Sequence, residues 1–324
     1  MWKIPAFLQK NLVWTIPAAM VAGLTFGSLW NASPLKAAIV PLTFLMVYPM
    51  MVNLQLEKIF STRGERCQVA TLLINFAVIP FVAFSIGQWF FAGQPMIMLG
   101  LLLAALLPTS GMTITWTGFA GGDINAAIKM TVIGLVVGSI ATPFYALWLM
   151  GADIEIPLAD VFRQIAFIVF VPMLLGYYTK KWLIRRFGHE KYQRDLQKKF
   201  PMLSSLGVLG IVFVAMALKS GSILGNPSTL LAYLAPLVLL YLINFLLSTL
   251  VGRIFFSRAE AIALVYGTVM RNLSIALAIA VTVFRESGAE IAVIISMAYI
   301  VQVQAAVWYV RFTDRIFGRV AKPA

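Results

Sequence analysis

Residues 258–284 read RAEAIALVYGTVMRNLSIALAIAVTVF, a stretch that is apolar enough to form a membrane helix but carries Arg271 near its middle. Between Glu260 and Arg285 it has no other charged residue. A guanidinium at that depth in a bilayer costs roughly 3 kcal/mol or more, so such a residue usually faces a cavity or a partner. No Asp or Glu lies in the interior of a predicted span to pair with it. The pattern predicts that the anion which pairs with Arg271 comes from outside the protein.

The composition of the whole chain is typical of a polytopic membrane protein. Of its 324 residues, 61% are hydrophobic and 11% are charged, whereas a soluble domain has about 25% charged residues. The apolar stretch after Lys10 has no small-residue cleavage site, so we interpret it as a retained helix. The single Cys67 excludes a disulfide within the chain and a cysteine metal cluster, and the single His189 lies in a basic loop. We therefore expect no metal site, no cofactor and no catalytic residues.

Ten apolar segments have about the 20 residues that a helix needs to cross a bilayer. They are 11–30, 35–52, 67–90, 95–118, 124–150, 163–182, 201–219, 228–252, 259–284 and 289–311. These segments predict an all-α polytopic membrane protein with ten transmembrane helices. None of them contains the paired aspartates, histidine clusters or Ser-His pair of intramembrane enzymes, so a transporter is the leading function class and a receptor is its non-enzymatic rival.

The charges of the connecting loops alternate along the chain. Most of the 25 Lys and Arg residues lie near the N-terminus, in the loops at 53–66 and 183–200 and their flanks, and at the C-terminus. The opposite side has only four, which are Lys36, Arg163, Lys219 and Arg285. The positive-inside rule therefore predicts that both termini lie in the cytoplasm, and we expect a multi-pass protein of the plasma membrane. The net charge of +13 reflects this topology and contact with the lipid bilayer, and we expect no nucleic-acid partner.

The two halves of the chain, 1–155 and 156–324, resemble each other weakly. Pro17 and Gly23 lie in the first predicted span, and Pro172 and Gly176 lie in the sixth. Five helices per half is an odd number, so the halves have opposite orientations, as in the inverted repeats of secondary transporters. Two unrelated halves of similar hydropathy are the alternative interpretation.

Spans 4 and 9 hold equivalent places in the two halves, and both contain helix-breaking residues. Residues 107–113 read LPTSGMT, and residues 267–274 read GTVMRNLS. Proline removes an amide donor and glycine loosens the backbone. Broken helices at matching positions indicate a binding site at the membrane midplane, where helix N-termini attract anions. A plain proline kink in span 4 and a glycine contact in span 9 are the alternative.

Three motifs resemble the superfamily of bile-acid/sodium symporters and arsenical-resistance permeases, and are closest to the arsenite permeases. Residues 45–54 read LMVYPMMVNL, residues 108–112 read PTSGM and are followed by Trp116 and Gly122-Asp123, and residues 271–278 read RNLSIALA. The resemblance covers essentially the full length. It implies ten helices in two inverted five-helix repeats, with a transport site where broken helices 4 and 9 cross.

The chain departs from the arsenite permeases at two positions. Thr109 stands where the resemblance implies a cysteine, and Ser274 stands where it implies a glutamate. A thiolate suits thiophilic arsenite, and a threonine hydroxyl does not replace it. Transport of another anion is therefore the leading function. Efflux of arsenite or antimonite by a cysteine-independent variant is the alternative function.

The sodium sites that the resemblance implies in helices 4, 5 and 9 are also altered. Thr113 and Thr131 keep a hydroxyl. The other matching positions hold Ile114, Ala127, Gly267 and Arg271. Because sodium needs oxygen ligands, the loss of a carboxylate and the gain of a guanidinium should abolish such a site.

These observations predict a secondary transporter that moves a small anionic solute without the usual sodium sites. The expected substrate-binding residues are Thr109, Ser110, Thr113, Lys129, Thr131, Arg271, Asn272 and Ser274. In this hypothesis Arg271, together with Lys129, provides a fixed positive charge at the site. This charge takes the place of the sodium ions that the relatives bind. Alternative interpretations stay open for these residues. In them Lys129 extends to the membrane interface, Arg271 bonds to carbonyls of the broken helices, and the Ser and Thr hydroxyls bond within their own helices. The coupling species is a proton, an exchanged anion or none.

Overall fold

The computed structural model describes residues 2–56, 64–152, 154, 158–225, 228–284 and 286–318. Within these ranges every regular element is a helix, and the only strand-like feature is one isolated bridge between Pro108 and Arg271. The predicted all-α class is confirmed. The predicted boundary between residues 155 and 156, Arg285, and the basic residues within 57–63 and 319–324 lie outside the described residues.

The helices follow one another along the chain with short connections. They are α1 Lys3–Lys10, α2 Leu12–Leu29, α3 Ile39–Val52, α4 Glu65–Phe90, α5 Pro95–Leu106, α6 Gly111–Phe119, α7 Ile124–Met150, α8 Leu158–Phe187, α9 His189–Leu218, α10 Ser220–Gly225, α11 Ser228–Phe255, α12 Arg258–Val269, α13 Leu273–Val283 and α14 Gly288–Phe317. A 3₁₀ turn at Ser33–Ala38 leads into α3.

Seven helices in the described part of the chain are long and apolar enough to cross a membrane, and the pair α1 and α2 makes an eighth if it counts as one span. This pair bends by 100°, so the first predicted span corresponds to α2 alone and α1 is a separate helix that the sequence did not predict. Predicted spans 4 and 9 are missing from this set because each is split, into α5 and α6 and into α12 and α13. The protein is a multi-pass membrane protein.

The helices pack in two groups, the first bundle (α2, α3, α8 and α9) and the second bundle (α4–α7 and α11–α14). In the first bundle α9 packs against α2 and α3, and α8 packs against α3. Glycines allow this close approach, because a Cβ at Gly23 would collide with Phe213 O and a Cβ at Gly207 would collide with the backbone of Met46. Small residues let backbones approach in this way in membrane helices.

The second bundle surrounds the broken segment formed by α12 and α13. Every residue from 261 to 281 is buried, which covers most of α12 and all but the end of α13. A helix that is apolar on all sides is expected to lie inside a bundle rather than at its surface. The packing therefore places Arg271, between α12 and α13, in the interior of the protein.

Candidate functional site

The two broken segments meet at their breaks. Pro108 and Arg271 form an antiparallel bridge, and the Asn272 N–H donates to the Leu107 carbonyl oxygen at 2.7 Å. This backbone contact satisfies polar groups that the helix ends leave free. The predicted interruptions of segments 95–118 and 259–284 are thus present, and they lie against each other.

Thr109 is the one non-glycine residue of the described chain with a positive φ, of 63°. Its hydroxyl lies 2.6 Å from the Pro108 carbonyl oxygen and 3.3 Å from the carbonyl oxygens of Met130 and Thr131 in α7. A β-branched residue in this region is strained, and such strain, of order 1–3 kcal/mol, clusters at functional sites. Thr109 therefore fixes the break by a hydroxyl directed at the backbone of α7.

Ser110, Thr113 and Asn272 cap the two helices that begin at the crossing. The Ser110 hydroxyl accepts from the Met112 N–H at 3.2 Å, and the Ser110 N–H donates to the Thr113 hydroxyl at 3.1 Å. At α13 the Asn272 side-chain oxygen accepts from the Ile275 N–H at 3.3 Å. Both helix N-termini, which carry partial positive charge, therefore lie beside the crossing.

Arg271 is the charged group at this crossing. Its side chain is 3% exposed, and neither Nη1 nor Nη2 has a hydrogen-bond partner among the residues that the structure describes. Its backbone is firmly held, because Gln302 accepts from the Arg271 N–H at 2.7 Å and donates to the Arg271 carbonyl oxygen at 3.3 Å. The Tyr241 hydroxyl donates to the same Gln302 oxygen at 2.9 Å. The backbone is satisfied while the end of the guanidinium is not.

Side-chain amides bind the carbonyls freed at the end of α12. Asn75 donates to the Gly267 carbonyl oxygen and Asn244 donates to the Thr268 carbonyl oxygen, each at 3.0 Å. In the alternative interpretation, Arg271 bonds to these carbonyls. The structure gives them amide partners instead, and neither Nη atom of Arg271 reaches a carbonyl of the described residues. Asn244 and Gln302 thus bond to the broken segment from neighbouring helices, whereas Gln304 is exposed.

The remaining predicted site residues lie on helices around the crossing. The Ser274 and Tyr299 hydroxyls are 2.6 Å apart, and both residues are buried. The Thr131 hydroxyl donates to the Ala127 carbonyl oxygen at 2.7 Å. This bond agrees with the alternative interpretation, in which the hydroxyl bonds within its own helix. Lys129 is 6% exposed, which disfavours a lysine whose amine extends into interfacial water. Of the predicted set, the crossing directly unites Thr109, Ser110, Arg271 and Asn272.

At the position of the implied sodium-site carboxylate, a side chain would have to displace Met130. A Cβ on Gly267 would lie 2.6 Å from the Met130 sulfur and 3.3 Å from a Thr71 methyl carbon. Met130 therefore fills the space that a glutamate would enter.

Three contributors to the site were not predicted from the sequence. Asn75, Tyr241 and Tyr299 bond to the broken segment or to the residues around it. Asn75 had a usable signal, because it is an amide in the otherwise apolar interior of predicted span 3. The tyrosines had none, since tyrosine is common in membrane helices.

A cavity of about 710 Å³ lies elsewhere, between α3, α8, α9 and the C-terminal end of α13. Its lining is mainly apolar, with Lys36, Lys219 and Glu286 among its polar residues, and it does not include the residues of the crossing. Lys219 also pairs with Glu290 at 3.1 Å, which links α9 to the start of α14. The cavity separates parts of the two bundles on the side that the charge pattern predicts to be extracellular.

Known proteins resemble this chain over most of its length. The model of the Sodium Bile acid symporter family matches residues 40–226. Arsenical-resistance protein Acr3 of Alkaliphilus metalliredigens is 23% identical over 255 residues, which cover 72% of this chain and 71% of the relative. Acr3 of Corynebacterium glutamicum is 20% identical over 310 residues, or 88% and 83% of the two chains. Sodium/bile acid cotransporter 7 of Danio rerio is 23% identical over 209 residues, or 62% and 57%. The chain belongs to the sodium bile acid symporter family of membrane transporters.

Proposed function

We propose that this protein is a secondary transporter that moves a small anionic solute through a site at the crossing of the broken segments, without sodium. The observation that carries the proposal is the buried Arg271 guanidinium, whose Nη atoms have no partner among the described residues. An unpaired buried charge is strongly unfavourable, so a site of this kind calls for an external anion. Arg271 is well suited to bind a carboxylate or another oxyanion with two N–H groups.

The packing pattern supports two inverted repeats. If α2 and α8 are equivalent, and α3 and α9 are equivalent, then the contact of α2 with α9 matches the contact of α8 with α3. The contact of α4 with α5 matches that of α11 with α12, and the contact of α6 with α7 matches that of α13 with α14. Gly23 and Gly176, the glycines of the paired first helices, each lie against the backbone of the other half's second helix. Under this arrangement, halves 1–155 and 156–324 form one transport domain, with both termini in the cytoplasm.

The crowding at Gly267 supports transport without sodium. Where the family resemblance implies a carboxylate, Met130 occupies the space, and where it implies a glutamine, the chain has Arg271. A cation at this position would meet a guanidinium and a thioether instead of oxygen ligands, which sodium requires. In the proposal the Arg271 charge is permanent, so anion binding needs no second ion to neutralise the solute.

The N-termini of α6 and α13 add to the attraction for an anion. Both begin within three residues of the backbone bridge, and their partial positive charge adds to that of the guanidinium. In the proposal Ser110, Thr113 and Asn272 hold these termini in place, while Thr109 sets the geometry of the break. Ser274, Thr131 and Lys129 line the surroundings of the site.

Efflux of arsenite or antimonite is the second candidate, and the similarity to two Acr3 proteins favours it. The position of the only thiol weighs against it. Cys67 is buried at the start of α4 and lies 3.4 Å from the Glu260 carbonyl oxygen. Glu260 precedes Arg271 by 11 residues, roughly 16 Å at the helical rise. An efflux mechanism in this chain would have to bind arsenite at the crossing without a thiolate.

Anion-dependent thermal stability of the purified protein in detergent tests the proposal. Chloride, bicarbonate, acetate, lactate, arsenite and a bile salt would each be added in sodium buffer and in choline buffer. The variants are Arg271→Gln and the matched Arg194→Gln, which removes an exposed charge. A ligand that binds only the folded state raises the melting temperature.

We expect at least one anion to stabilise the wild type and Arg194→Gln equally with and without sodium, and to have no effect on Arg271→Gln. In buffer with only a polymeric anion, Arg271→Gln should melt above the wild type because it removes an unpaired buried charge. Stabilisation that requires sodium, or that persists in Arg271→Gln, would overturn the proposal. Arsenite as the only stabilising ligand would establish the second candidate.

A further inference from the structure

The crossing holds a permanent positive charge, the Arg271 guanidinium, which no residue in the described part of the chain pairs with through Nη1 or Nη2. From this we infer that the transporter is an obligatory exchanger, in which a small monovalent anion must enter the site whenever the transported anion leaves it. The inference rests on the proposed function, and it names the coupling species, which that function leaves open.

The first step is the enclosure of the charge. A transporter with alternating access passes through a state in which its site is closed to both sides of the membrane. In the structure Arg271 lies between α12 and α13, within the continuously buried stretch 261–281, and the surface of its side chain is almost entirely covered. Water therefore does not solvate the guanidinium in such a closed state.

The second step is the lack of acceptors nearby. Gln302 is engaged at both ends by the Arg271 backbone, and its oxygen also accepts from Tyr241. Ser274 is engaged with Tyr299. In the described part of the chain no carboxylate pairs with Arg271, and along α12 the nearest one is Glu260, near the start of that helix. Gln302 and Ser274 could turn to the guanidinium only by breaking a buried hydrogen bond.

The consequence concerns the empty transporter. With a monovalent anion bound, the Arg271 guanidinium is paired, and the conformational change carries no unpaired guanidinium. With the site empty, the same change requires an unpaired and dehydrated guanidinium, which is much less favourable. The empty site should therefore not switch sides at a useful rate, and each anion that leaves should be replaced by another. Exchange of two monovalent anions moves no net charge.

Proteoliposomes loaded with radioactive chloride, and in parallel with nitrate and formate, test the inference. Potassium and valinomycin clamp the membrane potential, so that net anion efflux is not limited by charge accumulation. The external buffer contains either the same small anion or only polyglutamate, a polymer too large to enter a buried site. The variants are again Arg271→Gln and Arg194→Gln.

We expect efflux of at least one probe to be at least tenfold faster into the small anion than into polyglutamate, a difference of about 1.4 kcal/mol in barrier. Arg194→Gln should behave like the wild type, and Arg271→Gln should lose the exchange. Efflux into polyglutamate within twofold of the exchange rate would overturn the inference and leave the proposed function intact. Absence of flux for all three probes would also overturn it, and absence of any anion-dependent stabilisation would remove the proposed function as well.

Discussion

The substitution Gln302→Glu should supply inside the protein the counter-charge that Arg271 lacks. Gln302 already lies against the Arg271 backbone, and glutamate has nearly the same shape. A carboxylate here would keep an oxygen for the Arg271 N–H and for the Tyr241 hydroxyl, and would lose only the donor to the Arg271 carbonyl oxygen. That lost bond costs about 1 kcal/mol, and the carboxylate oxygen that replaces the donor also repels the Arg271 carbonyl oxygen.

The gain is the interaction of the new carboxylate with the guanidinium. For charges about 6 Å apart in a medium of effective dielectric constant about 20, it amounts to roughly 3 kcal/mol. A bound anion would then no longer find an uncompensated charge, so its affinity should fall by about 100-fold. The anion-dependent rise in melting temperature should disappear at concentrations that stabilise the wild type.

Titration of the stabilising anion against wild type, Gln302→Glu and Gln302→Leu measures this effect. Gln302→Leu is the matched control, because it breaks the same hydrogen bonds without adding a charge. It should lower the melting temperature but keep most of the anion response. Equal anion affinity in Gln302→Glu and the wild type would refute the reasoning, since it would mean that the Arg271 charge does not determine binding.

Three further substitutions test how the crossing and the bundles are built. Thr109→Val should destabilise the protein by about 1–2 kcal/mol in detergent unfolding, because it removes the hydroxyl but keeps a branched Cβ at positive φ. Gly207→Ala should cost about 1–3 kcal/mol in the same assay, because its Cβ would lie 2.6 Å from the Met46 Cα, which cannot move aside. Gly267→Ala should lower the melting temperature through contact with the Met130 sulfur, and Met130→Ala in the same chain should recover part of the loss.

Each of these substitutions has its own comparison. Gly221→Ala should be nearly neutral, because a Cβ there has no atom within 4 Å, and a loss equal to that of Gly207→Ala would remove the steric explanation. Thr109→Gly should be more stable than Thr109→Val, because glycine adopts a positive φ freely. Additive losses for Gly267→Ala and Met130→Ala would mean that the two side chains do not compete for one space.

The architecture could be predicted from sequence where it depends on hydropathy and on helix breakers. The apolar segments and the breaks at 107–113 and 267–274 are explicit in the sequence, and the helices end at Leu106 and Val269 as these residues suggest. The separate helix α1 was missed, because an amphipathic helix of eight residues has no length signal. Which helices pack together could not be read from any one segment, since it depends on small residues of partners far apart in the chain.

The site was predictable in its charge but not in its hydrogen bonds. Arg271 stands out because a single guanidinium in an apolar segment has few explanations. The expected open hydroxyls proved to be engaged in caps and helix bonds, as with Ser110 and Thr131. Such bonds depend on the rotamer of each side chain and on which backbone group lies beside it, and neither follows from residue type.

The way the breaks are stabilised explains why the crossing should select anions. A helix that is interrupted inside a membrane frees both carbonyls and amides, and each must find a partner within the protein. Here side-chain amides such as Asn75 and Asn244 bind freed carbonyls, which removes negative potential that would attract a cation. The caps formed by Ser110 and Asn272 bind only some of the amides of α6 and α13, so the helix N-termini keep a positive field. With Arg271 added, we expect the crossing to attract an anion, whose charge would balance that of the unpaired guanidinium and of the two helix N-termini.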